Sequence, residues 1–80
     1  MPKIEIENNI LKITDRNEVI NLKILNIYYW SYHNIFEMGY YVCINRTDFS
    51  FNNEKTAKEF YNTIDKAIRE YKEAKNVKND

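Results

Sequence analysis

The chain has 80 residues, with twelve basic side chains, twelve acidic side chains and one cysteine. This length predicts one domain, and a lone cysteine excludes an internal disulfide, which fits a reducing compartment. The balanced charge argues against a dedicated duplex-DNA binder, because phosphate neutralisation dominates the affinity of such proteins.

The N-terminal residues and the hydropathy pattern predict a cytoplasmic protein. The first residues alternate charge with isoleucine and lack the apolar stretch of a secretory signal peptide. No run approaches the ~20 apolar residues of a membrane span, so we expect no membrane partner. Asn, Ile, Lys and Tyr, which A/T-rich codons encode, dominate the composition and point to a low-GC bacterium or its phage.

The first hairpin is predicted by its turn and by the alternation around it. Asn8 and Asn9 form a candidate two-residue turn, because asparagine tolerates the positive φ that such turns require. Pairing across them sets Glu5 opposite Lys12, an opposite-charge pair. The same pairing puts four apolar side chains on the other face: Ile4 opposite Ile13, and Ile6 opposite Leu11.

A third strand follows the polar segment 15–18. This segment pairs Ile20 with Ile13 and Leu22 with Leu11, so the three strands agree on one buried face. The alternation of apolar and polar residues changes phase at Leu25. A β-bulge there would let the strand continue, with Leu25, Ile27 and Tyr29 on the core side. Without the bulge, Leu25, Ile27 and Tyr29 would lie on the outer face and the residues between them on the core face. Both faces of this strand would still be apolar.

Two further strands are predicted at 39–44 and 49–51. The segment 45–48 between them pairs Ile44 with Phe49 and Val42 with Phe51. Residues 31–38 form the longest connection in this scheme. The chain's only glycine, Gly39, closes that connection and can supply a positive φ.

A C-terminal helix is predicted from Asn53, a good N-cap, to about Ala74. Its apolar residues recur at 3-4 spacing, and Glu54–Lys58 and Asp65–Arg69 are favourable i,i+4 pairs. We expect 76–80 to be a frayed tail. The predicted fold is therefore α+β: a five-stranded antiparallel meander, order 1-2-3-4-5, bent near Leu25, with one helix packed on one face of a domain spanning 1–75.

The candidate contact surface follows from this fold, because one helix covers only one face of a sheet. Its aromatic residues are expected to point away from the helix: Tyr28, Trp30, Tyr32 and Tyr41. Tyr and Trp provide large, rigid contact areas at protein interfaces. The alternative interpretation is that loops or the first hairpin cover these rings as ordinary core.

No residue constellation predicts catalysis, a metal site or a cofactor. His33 and Cys43 offer reactive side chains, but structural zinc needs four ligands, and a mid-strand cysteine among aromatics has a raised thiol pKa. We therefore expect a non-enzymatic protein-binding module, for example a phage or mobile-element inhibitor of a host protein, or a homodimer. The alternative is a single-stranded nucleic-acid binder that stacks bases on the same rings, which Glu5 and Glu7 disfavour.

Overall fold

The computed structural model describes residues 2–79, with side chains described for 2–73. Six strands precede one helix: β1 (Lys3–Glu7), β2 (Ile10–Asp15), β3 (Glu18–Lys23), β4 (Trp30–Ile35), β5 (Gly39–Ile44), β6 (Thr47–Phe51) and α1 (Glu54–Asn79). A short 3₁₀-helix, Ile24–Asn26, separates β3 from β4. The predicted α+β class is confirmed.

The strands form two antiparallel sheets rather than one meander. The first sheet has the order β1-β2-β3 and the second has the order β4-β5-β6. The predicted five-stranded sheet is therefore wrong in its arrangement, although neighbours in sequence do pair within each half. The division falls at the place where the alternation of the sequence slips.

The first sheet has the pairing that the sequence predicts. Ile4 lies opposite Ile13 and Ile6 opposite Leu11, while Leu11 also lies opposite Leu22. The turns at Asn8 and Arg16 are both two-residue turns, and in each the first residue has a positive φ, 58° and 59°. Local turn chemistry and strict alternation were sufficient here because each strand follows its partner directly.

The predicted β-bulge at Leu25 is absent, and the 3₁₀-helix takes its place. The backbone N–H of Ile24 donates to the carbonyl oxygen of Asn9 at 2.8 Å, which extends the pairing of β2 with β3 by one bond. Ile24 and Ile27 are buried, whereas Leu25 is 49% exposed. A 3₁₀-turn, with about three residues per turn, puts residues three apart on one side, so it buries Ile24 with Ile27.

The sequence predicts a connection at 31–38, but most of this segment belongs to a strand of the second sheet, β4. The pairing of β5 with β6 is also shifted from the prediction. Ile44 pairs with Thr47 and Val42 with Phe49, across a two-residue turn at Asn45 and Arg46. A shift of two residues leaves every side chain on its predicted face, since side chains alternate with a period of two.

The helix begins as predicted. The side-chain Oδ1 of Asn53 accepts a hydrogen bond from the backbone N–H of Thr56 at 3.2 Å, which is an N-cap. Both predicted i,i+4 pairs are present, with N–O distances of 3.8 Å for Lys58–Glu54 and 2.9 Å for Arg69–Asp65. The helix continues past Ala74 to Asn79, so the predicted tail is helical as far as Asn79; Asp80 lies outside the described residues.

One hydrophobic core connects both sheets to the helix. Leu11 and Ile13 come from the first sheet, and the second sheet adds Val42, Ile44, Phe49 and Phe51. The helix contributes the buried residues of its apolar stripe: Ala57, Phe60, Ile64, Ala67 and Ile68. Because α1 contacts β1 as well as β4, β5 and β6, each sheet has one face toward the core and one face away from it.

Candidate functional site

The four aromatic residues of the predicted contact surface do not form one surface. Trp30 and Tyr32 face the helix and pack partly buried against the core. Tyr41 is one residue out of phase with Val42 and lies on the opposite face of the second sheet. Tyr28 lies in the connection before β4 and is 67% exposed. The expectation that all four point away from the helix is therefore wrong for Trp30 and Tyr32.

Trp30 joins β4 to the helix. Its indole Nε1–H donates to Oδ1 of Asp65 at 2.9 Å, and Nζ of Lys72 lies 5.3 Å from the centre of its ring. The other carboxylate oxygen of Asp65 accepts a hydrogen bond from Nε of Arg69 at 2.9 Å. The hydrogen bond from Trp30, followed by that from Arg69, lowers the pKa of Asp65 despite partial burial. This arrangement stabilises the fold.

Tyr32 is the second aromatic residue of β4 that faces the helix. Its hydroxyl oxygen is enclosed and has no hydrogen-bond partner among the described residues. Burial and the neighbouring Glu54 carboxylate raise the pKa of this phenol, while Nζ of Lys58 lies 5.9 Å from the ring centre. Together with Trp30 and the partly buried Tyr40, Tyr32 extends the buried aromatic cluster of Phe49, Phe51 and Phe60.

The connection that carries Tyr28 is held by one side chain, that of Asn45. Its Oδ1 accepts hydrogen bonds from the backbone N–H groups of Tyr28 at 3.0 Å and Tyr29 at 3.3 Å, and its amide donates to the carbonyl oxygen of Asn26 at 3.2 Å. The backbone N–H of Asn45 also donates to the carbonyl oxygen of Tyr29 at 2.7 Å. The exposed ring of Tyr28 therefore stands on a fixed backbone.

The most exposed large apolar side chain of the described residues, Phe36, lies at the turn between β4 and β5. This hairpin tip, which we define as Ile35, Phe36 and Met38, has exposed fractions of 43%, 86% and 67%. The sequence pattern does not predict the hairpin tip as a contact surface. The only signal in the sequence was an apolar residue on either side of Glu37, immediately before the chain's only glycine.

The backbone of the hairpin tip is well fixed. The N–H of Met38 donates to the carbonyl oxygen of Ile35 at 2.9 Å, and the hydroxyl of Tyr41 donates to the carbonyl oxygen of Met38 at 2.9 Å. Glu37 and Gly39 take positive φ values of 64° and 106°. The hydrogen bond from Tyr41 therefore helps to fix the backbone of the hairpin tip. The apolar side chains of the tip are exposed to solvent on this constrained turn.

The outer face of the second sheet carries the side chains with chemical reactivity. Oγ of Ser31 lies 2.8 Å from Nε2 of His33, and Ser31 is directly opposite Cys43. Burial, with the neighbouring Asp48, raises the pKa of the Cys43 thiol, and its Sγ–H donates to the carbonyl oxygen of Asn45 at 3.3 Å. A protonated, hydrogen-bonded thiol is a poor nucleophile. Over the described part of the chain, no three His, Cys, Asp or Glu residues are grouped to hold a metal ion.

The β4–β5 hairpin, which ends in the hairpin tip, contains far fewer charged residues than the first sheet. Glu37 is the only Asp, Glu, Lys or Arg between residues 30 and 45, whereas every strand of the first sheet contains charged residues. A surface without basic residues has no electrostatic attraction for phosphates or for anionic lipids. The hairpin is therefore suited to apolar contacts.

Comparisons with known proteins add no relative: the chain matches no protein-family model, no curated protein and no solved structure. Among the described residues, no helix has the length and apolar character that crossing a membrane requires.

Proposed function

We propose that this chain is a non-enzymatic protein-binding module, and that it contacts its partner through the hairpin tip. The observation that carries the proposal is the 86% exposure of Phe36 on a hydrogen-bonded turn. Removing such a side chain from water stabilises a complex by about 1.5–3 kcal/mol. A turn that is already ordered loses little conformational entropy on binding.

The proposed partner is a protein with an apolar pocket. Phe36 and Met38 flank one acidic residue, so the tip offers two apolar anchors and one carboxylate. Aromatic residues and methionine are enriched at the centres of protein interfaces, where charged residues are depleted. Tyr28 supplies a second exposed aromatic ring, beside the turn at the opposite end of the sheet.

The test compares two single variants with matched chemistry. Phe36→Ser removes the main anchor at the tip, and Val19→Ser removes a 53% exposed apolar side chain from the first sheet. With the chain immobilised in a lysate of a low-GC bacterium, we expect one protein to be captured in stoichiometric amount by the original chain and by Val19→Ser. Phe36→Ser should weaken its capture by roughly thirtyfold, since an interface hot spot contributes about 2 kcal/mol or more.

Circular dichroism and thermal unfolding of Phe36→Ser should match the original chain, which separates binding from folding. Equal capture by Phe36→Ser and Val19→Ser would contradict the proposal. Light scattering over a range of protein concentrations measures the oligomeric state of both chains. A dimer that Phe36→Ser converts to a monomer would assign the tip to self-association instead.

Single-stranded nucleic acid is the alternative partner, and the same reagents test it. Stacking on this sheet would need Trp30 and Tyr32 at its outer surface together with basic residues beside them. The rings face the helix, and the hairpin carries no Lys or Arg. We therefore expect no change in the fluorescence anisotropy of labelled 20-mers of deoxythymidine or uridine at low salt. Salt-sensitive binding would favour the alternative.

A further inference from the structure

A groove runs along the junction between β1 and the helix. Its wider part is a cavity of about 560 Å³ with apolar contributions from Ile6, Ile24, Ala67 and Tyr71. Its narrower part, of about 190 Å³, lies beside Pro2 and Ile4. Thr63 lines both parts, so the two cavities follow one another along the helix. We call this feature the seam groove.

β1 is an edge strand, and its unpaired backbone groups border the seam groove. Glu7 and Ile10 close the two-residue turn, and such a closing pair exchanges both of its hydrogen bonds. The alternation of an antiparallel ladder then directs the N–H and C=O groups of Ile4 and Ile6 away from β2. Within residues 2–79, no backbone group of another element bonds to them.

The side chains of β1 define what could lie beside it. On the core side, Ile6 is 47% exposed at the widest part of the groove. On the outer side, Lys3, Glu5 and Glu7 are exposed, so two of the three charged side chains of this face are acidic. Across the ladder, Glu5 lies opposite Lys12, whereas Glu7 lies opposite the uncharged Ile10. The ion pairs of 4.0 Å or less among the described residues all lie within the helix.

We infer that β1 accepts an extended segment of another protein as an added strand. Two sets of free N–H and C=O groups at the spacing of alternate residues match a β-strand. Apolar side chains of that segment would enter the seam groove. Basic side chains, alternating with them, would lie opposite Glu5 and Glu7, since opposite charges on neighbouring strands stabilise a sheet. The occupant is therefore an extended segment of alternating apolar and basic residues.

This inference rests on different residues from the proposed function. The hairpin tip belongs to the second sheet, whereas β1 is the outer strand of the first sheet. Phe36→Ser should therefore leave strand addition unchanged, and failure of either idea can be recognised independently of the other.

The probe is a seven-residue peptide that alternates lysine and valine, followed by NMR on the isotopically labelled chain. We expect chemical-shift changes at Ile4, Glu5, Ile6 and Thr63, and slower amide hydrogen exchange at Ile4 and Ile6. A peptide that alternates glutamate and valine should bind about tenfold more weakly. The lysine–valine peptide with a central proline should not bind, because proline cannot complete a ladder.

Ile6→Pro tests the backbone contribution directly. Proline removes the free N–H of position 6 without removing a bond to β2, and edge strands tolerate proline at such positions. We expect the affinity for the lysine–valine peptide to fall about tenfold, the equivalent of one hydrogen bond. Val19→Pro, at an exposed edge position of β3, is the matched control and should bind as the original chain does.

Several results would overturn the inference: no shifts with the lysine–valine peptide, equal binding of its proline version, or unchanged exchange at Ile4 and Ile6. Protection of these two amides that grows with protein concentration alone would assign the edge to a second copy of this chain, which also overturns it. If Ile6→Pro fails to fold, the exchange rates of the unmodified chain decide the question.

Discussion

The two sheets of this protein have the same size and the same antiparallel order, yet they interact with solvent differently. The first sheet covers its outer face with charged residues, for instance Glu5, Lys12 and Lys23. The second sheet has almost no charge, and its longest turn exposes Phe36 and Met38. Charged side chains at the edges and faces of a sheet limit its non-specific association. We therefore propose apolar contacts for the second sheet, and for the first sheet a contact that selects its partner by charge.

The first prediction asks whether the two sheets are energetically one unit. Ile13→Ala in the first sheet and Ile44→Ala in the second should each lower the free energy of unfolding by about 2–5 kcal/mol, because both side chains are enclosed in one core. Urea unfolding should show a single transition by Trp30 fluorescence and by far-UV circular dichroism. An Ile13→Ala variant whose Trp30 transition is unchanged would mean that the sheets unfold separately.

The second prediction concerns the turns, which differ between the sheets. Asn8 and Asn45 both take a positive φ, 58° and 55°, but only Asn45 also bonds through its side chain to the backbone at 26, 28 and 29. Asn45→Gly should therefore lower the free energy of unfolding by about 2 kcal/mol, through three lost hydrogen bonds. Asn8→Gly should change it by less than about 0.5 kcal/mol. Equal effects would remove the distinction.

The third prediction tests how the second sheet is fastened to the helix. Asp65→Ala should cost about 1 kcal/mol, because a partly exposed carboxylate loses the Trp30 indole donor. Arg69→Ala, which removes only a 68% exposed ion-pair partner of the same carboxylate, should cost less than about 0.5 kcal/mol. Chemical denaturation of both variants at pH 7 measures the difference.

The pH dependence of Asp65 follows from the same hydrogen bond. The bond from Trp30 is the main cause of the lowered pKa of Asp65 in the folded chain. The stabilisation is therefore fully present above the unfolded pKa of about 3.9, and it is lost as the pH falls through the lower folded value. The stability difference between the original chain and Asp65→Asn should shrink below about pH 4. A constant difference down to pH 2 would contradict this assignment.

The smallest predicted effect is a stabilisation of the first sheet. Arg16 takes a φ of 59°, which costs a residue with a side chain about 1–2 kcal/mol. Arg16→Gly relieves this cost but increases the entropy of the unfolded chain, so we expect a net gain of about 0.5 kcal/mol. Thermal unfolding should show a slightly higher midpoint. A lower midpoint would mean that the Arg16 side chain has a stabilising contact.

Much of the fold could be predicted where strands and turns are adjacent in sequence. Asn8 and the polar segment at 15–18 specified the first two turns, and alternation then set the register. Asn53 and the 3-4 spacing after it specified the helix. β4 could not be predicted in this way, because residues 24–32 contain no glycine, proline or charged residue that would mark the end of a strand.

The candidate site was harder to predict than the fold. The break before β4 reverses the expected orientation, so Trp30 and Tyr32 face the helix while Tyr41 keeps its outer position. The exposure of Phe36 depends on its place at a turn, and that turn became visible only when β4 was seen to pair with β5. An apolar residue in a sequence predicts burial far more often than exposure.

The sequence by itself determined the periodic features of this protein: which residues alternate, where the helix begins, and which apolar residues share a face. These depend on neighbours within a few positions, because side chains repeat every two residues in a strand and every 3.6 in a helix. Tertiary structure alone decided where the chain leaves the first sheet and which aromatic rings are covered. Both depend on contacts between distant residues, such as Asn45 with Tyr28 and Asp65 with Trp30, which no local pattern contains.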